Sequence, residues 1–224
     1  MYYLITLLVN RGDEVIYPNP GFPIYESVIR YSGATPVPIA LKEENGFAFS
    51  AEEVLGQISD KTRLIIINSP ANPTGGVTPK EGIDKLVAGL QTPPHVALLS
   101  DEIYSNVLYG GRDHVSLLQY PEIRDRLIML DGWSKTYAMT GWRIGYGAGP
   151  VELIKAMAKV QSQSTSNPSS ISQYAAGEAL NGPQDFIAER AKVFEERRDL
   201  GVGMLNQATG LSCPMPEGAF YVYP

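Results

Sequence analysis

A single cysteine, Cys213, stands among the 224 residues, so no internal disulfide can form and a reducing compartment is the default expectation. Its Ser-Cys-Pro setting assigns the thiol no chemistry. Basic charge is also short: 18 Lys and Arg face 24 Asp and Glu, and a net charge of −6 argues against a nucleic-acid partner. Long apolar runs are missing. The apolar opening, residues 1–9, is too short to span a bilayer, has no basic leader or cleavage site, and runs straight into Arg11-Gly12-Asp13-Glu14. It reads as the tail of a buried helix whose beginning lies upstream. There is no internal repeat and no compositional sign of disorder. With 44% hydrophobic and 19% charged residues, the composition is that of a folded cytoplasmic protein with no membrane partner. The length exceeds one typical domain and falls short of two large ones.

The chemistry concentrates in Ser134-Lys135-Thr136-Tyr137-Ala138-Met139-Thr140-Gly141-Trp142-Arg143, which sets one lysine eight residues before one arginine. Residues 127–130 just upstream read as an apolar strand, so Lys135 belongs at a strand's carboxyl end, where open α/β sheets hold their ligands. An amine there can form a Schiff base. By itself the pair matches many solvated surface lysines and arginines. Two further strand ends add weight. Asp101 follows the apolar run 96–99, with Tyr104 one helical turn onward, and reads either as an N-cap or as a carboxylate partner for a pyridine nitrogen. Asn72 lies in Asn68-Ser69-Pro70-Ala71-Asn72-Pro73-Thr74-Gly75-Gly76, a stiff loop after the β-branched run 64–67 that reads either as an ordinary turn or as a holder for the Asn72 amide.

Together these segments resemble the class I aminotransferases, the aspartate-aminotransferase-like branch of the fold type I pyridoxal phosphate enzymes, over nearly the whole chain. The resemblance implies pyridoxal 5′-phosphate as cofactor, with Lys135 as the Schiff-base lysine and Arg143 on the cofactor phosphate, assisted by Ser134. It implies Asn72 at the ring's phenolic oxygen and beside the substrate carboxylate, Asp101 on the pyridine nitrogen and Tyr104 donating to the phenolic oxygen. The segment Pro20-Gly21-Phe22-Pro23-Ile24-Tyr25 is similar to the family segment whose aromatic ring stacks on the cofactor, which points to Phe22; a core phenylalanine is the other reading. The chain departs from the pattern at both ends, where a phosphate-cradling loop and a carboxylate-clamping arginine are expected. These departures predict weak cofactor binding and poor turnover by the 224 residues alone. Gly132 stands where some branches carry a phosphate-binding serine.

Short apolar strands are expected at 14–17, 35–39, 64–68, 96–100, 127–130 and 144–147, alternating with helical patterns at 51–58, 80–90, 151–160, 171–180 and 184–205. The alternation predicts an α/β fold with a mostly parallel, helix-covered sheet. The connection from Lys135 to the last strand is too short for a crossover, so that strand is expected to run antiparallel. The polar stretch 161–168 reads as a helix-breaking loop. In 184–205, Glu189-Arg190 and Glu195-Glu196-Arg197-Arg198 read as a solvated face. A boundary near Gly182-Pro183 divides the chain into a large cofactor-binding unit, 1–182, and the start of a small α+β unit, 183–224. By resemblance, the activity is transamination between an L-amino acid, aspartate favoured, and 2-oxoglutarate, without a metal and as a homodimer at full length. Alanine, aromatic or prephenate donors, β-lyase or decarboxylase chemistry, and a non-catalytic aminotransferase-like module are the alternatives.

Overall fold

Four near-continuous apolar runs form the middle of one sheet, and their composition explains why both sheet faces are buried. The computed structural model describes residues 1–92 and 94–224. Its strands are β1 (Glu14–Asn19), β2 (Thr35–Ala40), β3 (Thr62–Asn68), β4 (Ala97–Asp101), β5 (Leu127–Gly132) and β6 (Gly145–Ala148). They lie in the order β2-β1-β3-β4-β5-β6. The first five are mutually parallel, while β6 pairs antiparallel with β5, Gly132 opposite Gly145. The antiparallel turn-back is the one the short connection requires. Pro36 and Pro38 lie in β2, at the sheet's edge, where a residue without an N–H costs the sheet least.

Alternation in β3 sends Ile65 and Ile67 into one core and Leu64 and Ile66 into the other. The first core lies under α3 (Ala51–Gly56) and α4 (Lys80–Gly89); the second takes residues from α1 (Tyr2–Leu8) and α2 (Ile24–Tyr31). Helix α3 begins where Ser50 Oγ accepts the Glu53 N–H at 3.2 Å, an N-cap written in the sequence as Ser-x-x-Glu. The single turn α5 (Trp133–Thr136) follows β5, and α6 (Val151–Ser164), α7 (Ser170–Asn181) and α8 (Asp185–Leu205) complete the chain of helices.

Two expectations need correction. Half of the polar stretch expected as a loop, Gln161 to Ser164, continues α6. Ser162 and Ser164 satisfy their hydroxyls on the Lys159 and Val160 carbonyls of the preceding turn, which lets small polar residues extend a helix rather than end it. The charged face expected along α8 is only partly solvated. Arg190 and Arg198 turn inward to main-chain carbonyls, because a guanidinium carries enough donors to satisfy several acceptors at once.

The tail after α8 folds back across the carboxyl edge of the sheet. The Gly218 N–H donates to the Gly75 carbonyl at 2.9 Å, and the Ala219 N–H to that of Val107 at 2.8 Å. Gly75 has φ +72, and a Cβ there would sit 2.5 Å from Pro216 Cβ, so only glycine admits both the turn and the tail.

Candidate active site

The carboxyl ends of β3, β4 and β5 open into a cleft of about 300 Å³, lined by Phe22, Asn72, Asp101, Tyr104, Asp131 and Lys135 among others. It lies where the strand order reverses, with β2 on one side of β1 and β3 on the other, the position at which such sheets bind ligands.

The rear wall comes directly from strand register. Asn68 and Asp101, the last residues of β3 and β4, are paired across the ladder. Asn68 Nδ2 donates to the Asp101 carbonyl at 3.0 Å, while Asn68 Oδ1 accepts the Asn72 N–H at 2.8 Å. One buried amide therefore ties the strand ends together and anchors the loop that carries Asn72. The Asp101 carboxylate is buried; its Oδ2 accepts the Tyr25 hydroxyl at 2.8 Å, and its Oδ1 faces the Ile103 N–H at 3.4 Å. Burial pushes the Asp101 pKa up, against the pull of those two donors toward the charged form. Burial, with the Asp101 charge beside it, holds the Tyr25 phenol well above its usual range, so the phenol stays a donor.

The front wall is more open. Lys135 Nζ lies 5.1 Å from the Phe220 ring centroid and 5.7 Å from that of Tyr104. Burial, then the charge of Arg143, lowers the Lys135 pKa, which raises its share of free amine near neutrality. The Tyr104 and Tyr221 hydroxyls are hydrogen-bonded to each other at 2.5 Å. Burial, then Tyr221, raises the Tyr104 pKa. Asp131 sits at the cleft's side with Oδ1 on the Gly132 N–H at 2.6 Å, and burial brings its pKa up to about 6.

The cleft thus brings together Phe22, Asn72, Asp101, Tyr104 and Lys135 from segments far apart in sequence. Phe22 is 37% exposed and meets the Tyr25 ring edge-on at 5.8 Å, so it is a cleft residue and not a core phenylalanine. One Asp101 oxygen faces the N–H of the following turn, as the capping reading expects, and the other takes the Tyr25 phenol. Ser134 and Arg143 stand outside the lining. Arg143 has left-handed backbone at φ 53 and donates to the Thr140 carbonyl at 2.8 Å. Gly132 is glycine for a local reason: a Cβ there would lie 2.9 Å from Gly145 Cα across the β5–β6 pair.

The whole chain, residues 1–224, matches the family model for aminotransferase class I and II. This chain belongs to that family. It is 47% identical over its full length to the aspartate/prephenate aminotransferase of Cereibacter sphaeroides and 48% identical over 96% of its length to the aspartate aminotransferase of Rhizobium meliloti. It spans about half of each of these relatives, 56% of the first and 53% of the second. Among solved structures, the Rhizobium meliloti aspartate aminotransferase superposes with a TM-score of 0.95 at 46% identity, with 99% of this chain and 56% of that one covered. The aromatic aminotransferase of Pyrococcus horikoshii gives a TM-score of 0.92 at 34% identity, with 99% and 59% covered. These neighbours establish an aminotransferase fold of the fold type I class.

Four polar cleft residues of this aminotransferase-family chain escaped the sequence reading: Tyr25, Asn68, Asp131 and Tyr221. Tyr25 and Asn68 stand inside segments already singled out, and alternation offered a signal for Asn68, which ends a strand opposite Asp101. Tyr221 has no local signal, because its partner Tyr104 is 117 residues away. Among the described residues no helix is long and apolar enough to cross a membrane, and no group of three or more His, Cys, Asp or Glu could hold a metal ion.

Proposed function

We propose that this chain carries the cofactor-binding part of a pyridoxal 5′-phosphate-dependent aminotransferase, which moves an amino group between an L-amino acid, aspartate favoured, and 2-oxoglutarate. The observation that carries the reading is the convergence of an amine of lowered pKa, a buried carboxylate, an amide and a phenol on one cleft. This donor set fits the cofactor: a carboxylate for a pyridine nitrogen, hydrogen-bond donors for a phenolic oxygen, an aromatic edge and an amine for an aldehyde carbon. When bound, pyridoxal phosphate supplies that electrophilic carbon and a ring that withdraws electrons from the substrate's α-carbon.

In this reading Asp101 holds a proton at the pyridine nitrogen, and the Tyr25 hydroxyl and Ile103 N–H keep the carboxylate charged enough to do so. Asn72 and Tyr104 orient the phenolic oxygen, Asn72 also reaches the substrate carboxylate, and Phe22 covers one ring face. Ser134 and Arg143 bind the phosphate. Lys135 is the attachment point, and its Nζ takes the α-proton and returns it as general base and acid. Names of relatives that act on aspartate, or on aspartate and prephenate, support an aspartate-class donor with a 2-oxo acid acceptor. The reading includes a homodimer in a cytoplasmic setting, and a division between a large unit at 1–182 and the start of a second at 183–224.

The test is incubation with pyridoxal phosphate, reduction with borohydride, and peptide mapping by mass spectrometry. A phosphopyridoxyl group on Lys135, lost in Lys135→Ala, is the expected result; label spread over surface lysines, or none on Lys135, overturns the assignment. Glutamate formed from 2-oxoglutarate only when aspartate is present separates transamination from a lyase, which releases ammonia without an acceptor.

A further inference from the structure

The charge pattern of α8 predicts a solvated face, yet Arg190 reaches inward to the main chain of the segment that carries Lys135. Its Nη1 donates to the Thr136 carbonyl at 2.8 Å and its Nη2 to the Lys135 carbonyl at 3.1 Å, while the guanidinium lies 6.0 Å from the Phe186 ring centroid. Helix α5 is a single turn whose final carbonyls lack a continuing helix, and a cation there also meets the negative end of the turn's dipole. The Lys135 carbonyl also takes the Ala138 N–H at 3.3 Å and faces the Tyr137 N–H at the end of the turn. A planar guanidinium spans two neighbouring carbonyls, which an ammonium cannot do with the same geometry.

Farther along the same helix, Arg198 donates to the Pro216 carbonyl at 3.1 Å and lies 4.6 Å over the Tyr109 ring. Tyr109 in turn donates its hydroxyl to the Ala219 carbonyl, next to Phe220. One helix therefore grips both sides of the space that Lys135 occupies. Among the described residues, the side chain of Lys135 has no hydrogen bond of its own to set its position; the Tyr104 and Phe220 rings lie beside it.

We propose that Arg190 is a positioning residue for Lys135: by clamping two consecutive carbonyls it fixes α5 against α8 and holds the Lys135 amine beside the Tyr104 and Phe220 rings. The inference rests on the reading of Lys135 as the reactive amine. The charged and titratable groups that face the amine are Arg143 from the turn after α5, Asp101 from β4, Asp131 from β5, Tyr25 from α2, and Tyr104 and Tyr221. None belongs to α8, and Arg190→Lys, which keeps the cation near the Lys135 carbonyl, separates position from charge. An amine freed to reach water regains its ordinary affinity for the proton.

The experiment compares the full chain with Arg190→Met, Arg190→Lys and, as a control on the exposed side of α8, Arg197→Met. Each is acetylated with trace isotopically labelled acetic anhydride across a pH series, and the extent at Lys135 is read from its peptide. Borohydride reduction after pyridoxal phosphate runs in parallel, and circular dichroism reports folding. For Arg190→Met the Lys135 half-reaction point is expected to move up by about one pH unit, which is about a tenfold loss of free amine near neutrality. Arg190→Lys recovers part of the shift, and Arg197→Met matches the parent. A folded Arg190→Met whose Lys135 profile equals the parent's overturns the proposal. If Arg190→Met does not fold, Arg190→Lys decides, since it keeps the charge and loses the two-carbonyl fork: an unshifted profile overturns, an upward shift supports. A profile that shifts while the parent takes no phosphopyridoxyl label leaves the positioning role standing and removes the cofactor reading.

Discussion

The rear wall of the cleft, where Asn68, Asp101 and Tyr25 meet, is buried and bonded through side chains, whereas the front wall, where Lys135 faces Phe220 and Tyr104, is half open and held from behind through main-chain carbonyls. The rear wall inherits its precision from a parallel sheet whose strands are buried on both faces, so register alone delivers Asn68 beside Asp101. The front wall has no ladder behind it. Its parts come from a turn, a helix and a returning tail, and the arginines of α8 substitute for the missing register. The same contrast appears in burial: Leu64, Ile65 and Leu98 are fully enclosed, while Leu200 and Met204 of α8 are 65% and 63% exposed. A rigid acidic partner and an amine that must move protons thus sit on scaffolds of different stiffness.

The comparison can be broken most severely at its rear. Ile65→Ala removes a side chain with no exposure and is expected to cost about 3–4 kcal/mol, read as a fall in the denaturant midpoint at unchanged slope. Asn68→Ala deletes both amide bonds that join β3 to Asp101 and the Asn72 loop, for about 2–3 kcal/mol by the same measurement. At the front, Arg198→Met loses the Pro216 bond and the stacking on Tyr109, an expected cost of about 2 kcal/mol, with faster proteolysis of the tail as the local readout.

Asp131 sharpens the contrast through pH. Its folded pKa of about 6 lies above the ordinary 3.8, so its contribution to stability is fully present below about pH 4 and is lost as pH rises through 6. Asp131→Asn is therefore expected to stabilise the chain by about 1–2 kcal/mol at pH 8, after allowance for solvent screening, and to change little at pH 4. Equal effects at both pH values would contradict the assignment. The smallest change is Leu200→Ala on the exposed side of α8, expected within about 0.5 kcal/mol of the parent.

Most of the sheet was legible before any coordinates. Apolar runs bounded by turns marked every strand to within two residues, because a strand buried on both faces must be apolar at successive positions. The end of α6 was misread, since Ser and Gln suit both loops and an exposed helical turn whose hydroxyls bond back to the chain. Among the site residues, Asn72, Asp101, Tyr104 and Lys135 were legible as strand ends, and the structure brings all four to one cleft. Arg190 was misassigned to solvent because charge pattern along a helix records which residues can be wetted and not which carbonyls lie within reach.

The amino-acid sequence by itself determined the alternation of strands and helices, the family, and which side chains stand at the carboxyl ends of strands, since these follow from local periodicity and contiguous motifs. Only the tertiary structure decided that Tyr25 holds Asp101, that Tyr221 meets Tyr104, and that α8 clamps the carbonyls of Lys135 and Thr136. Those contacts join residues 54 to 117 positions apart, and they depend on register, helix rotation and the path of the returning tail, which no local stretch of sequence encodes.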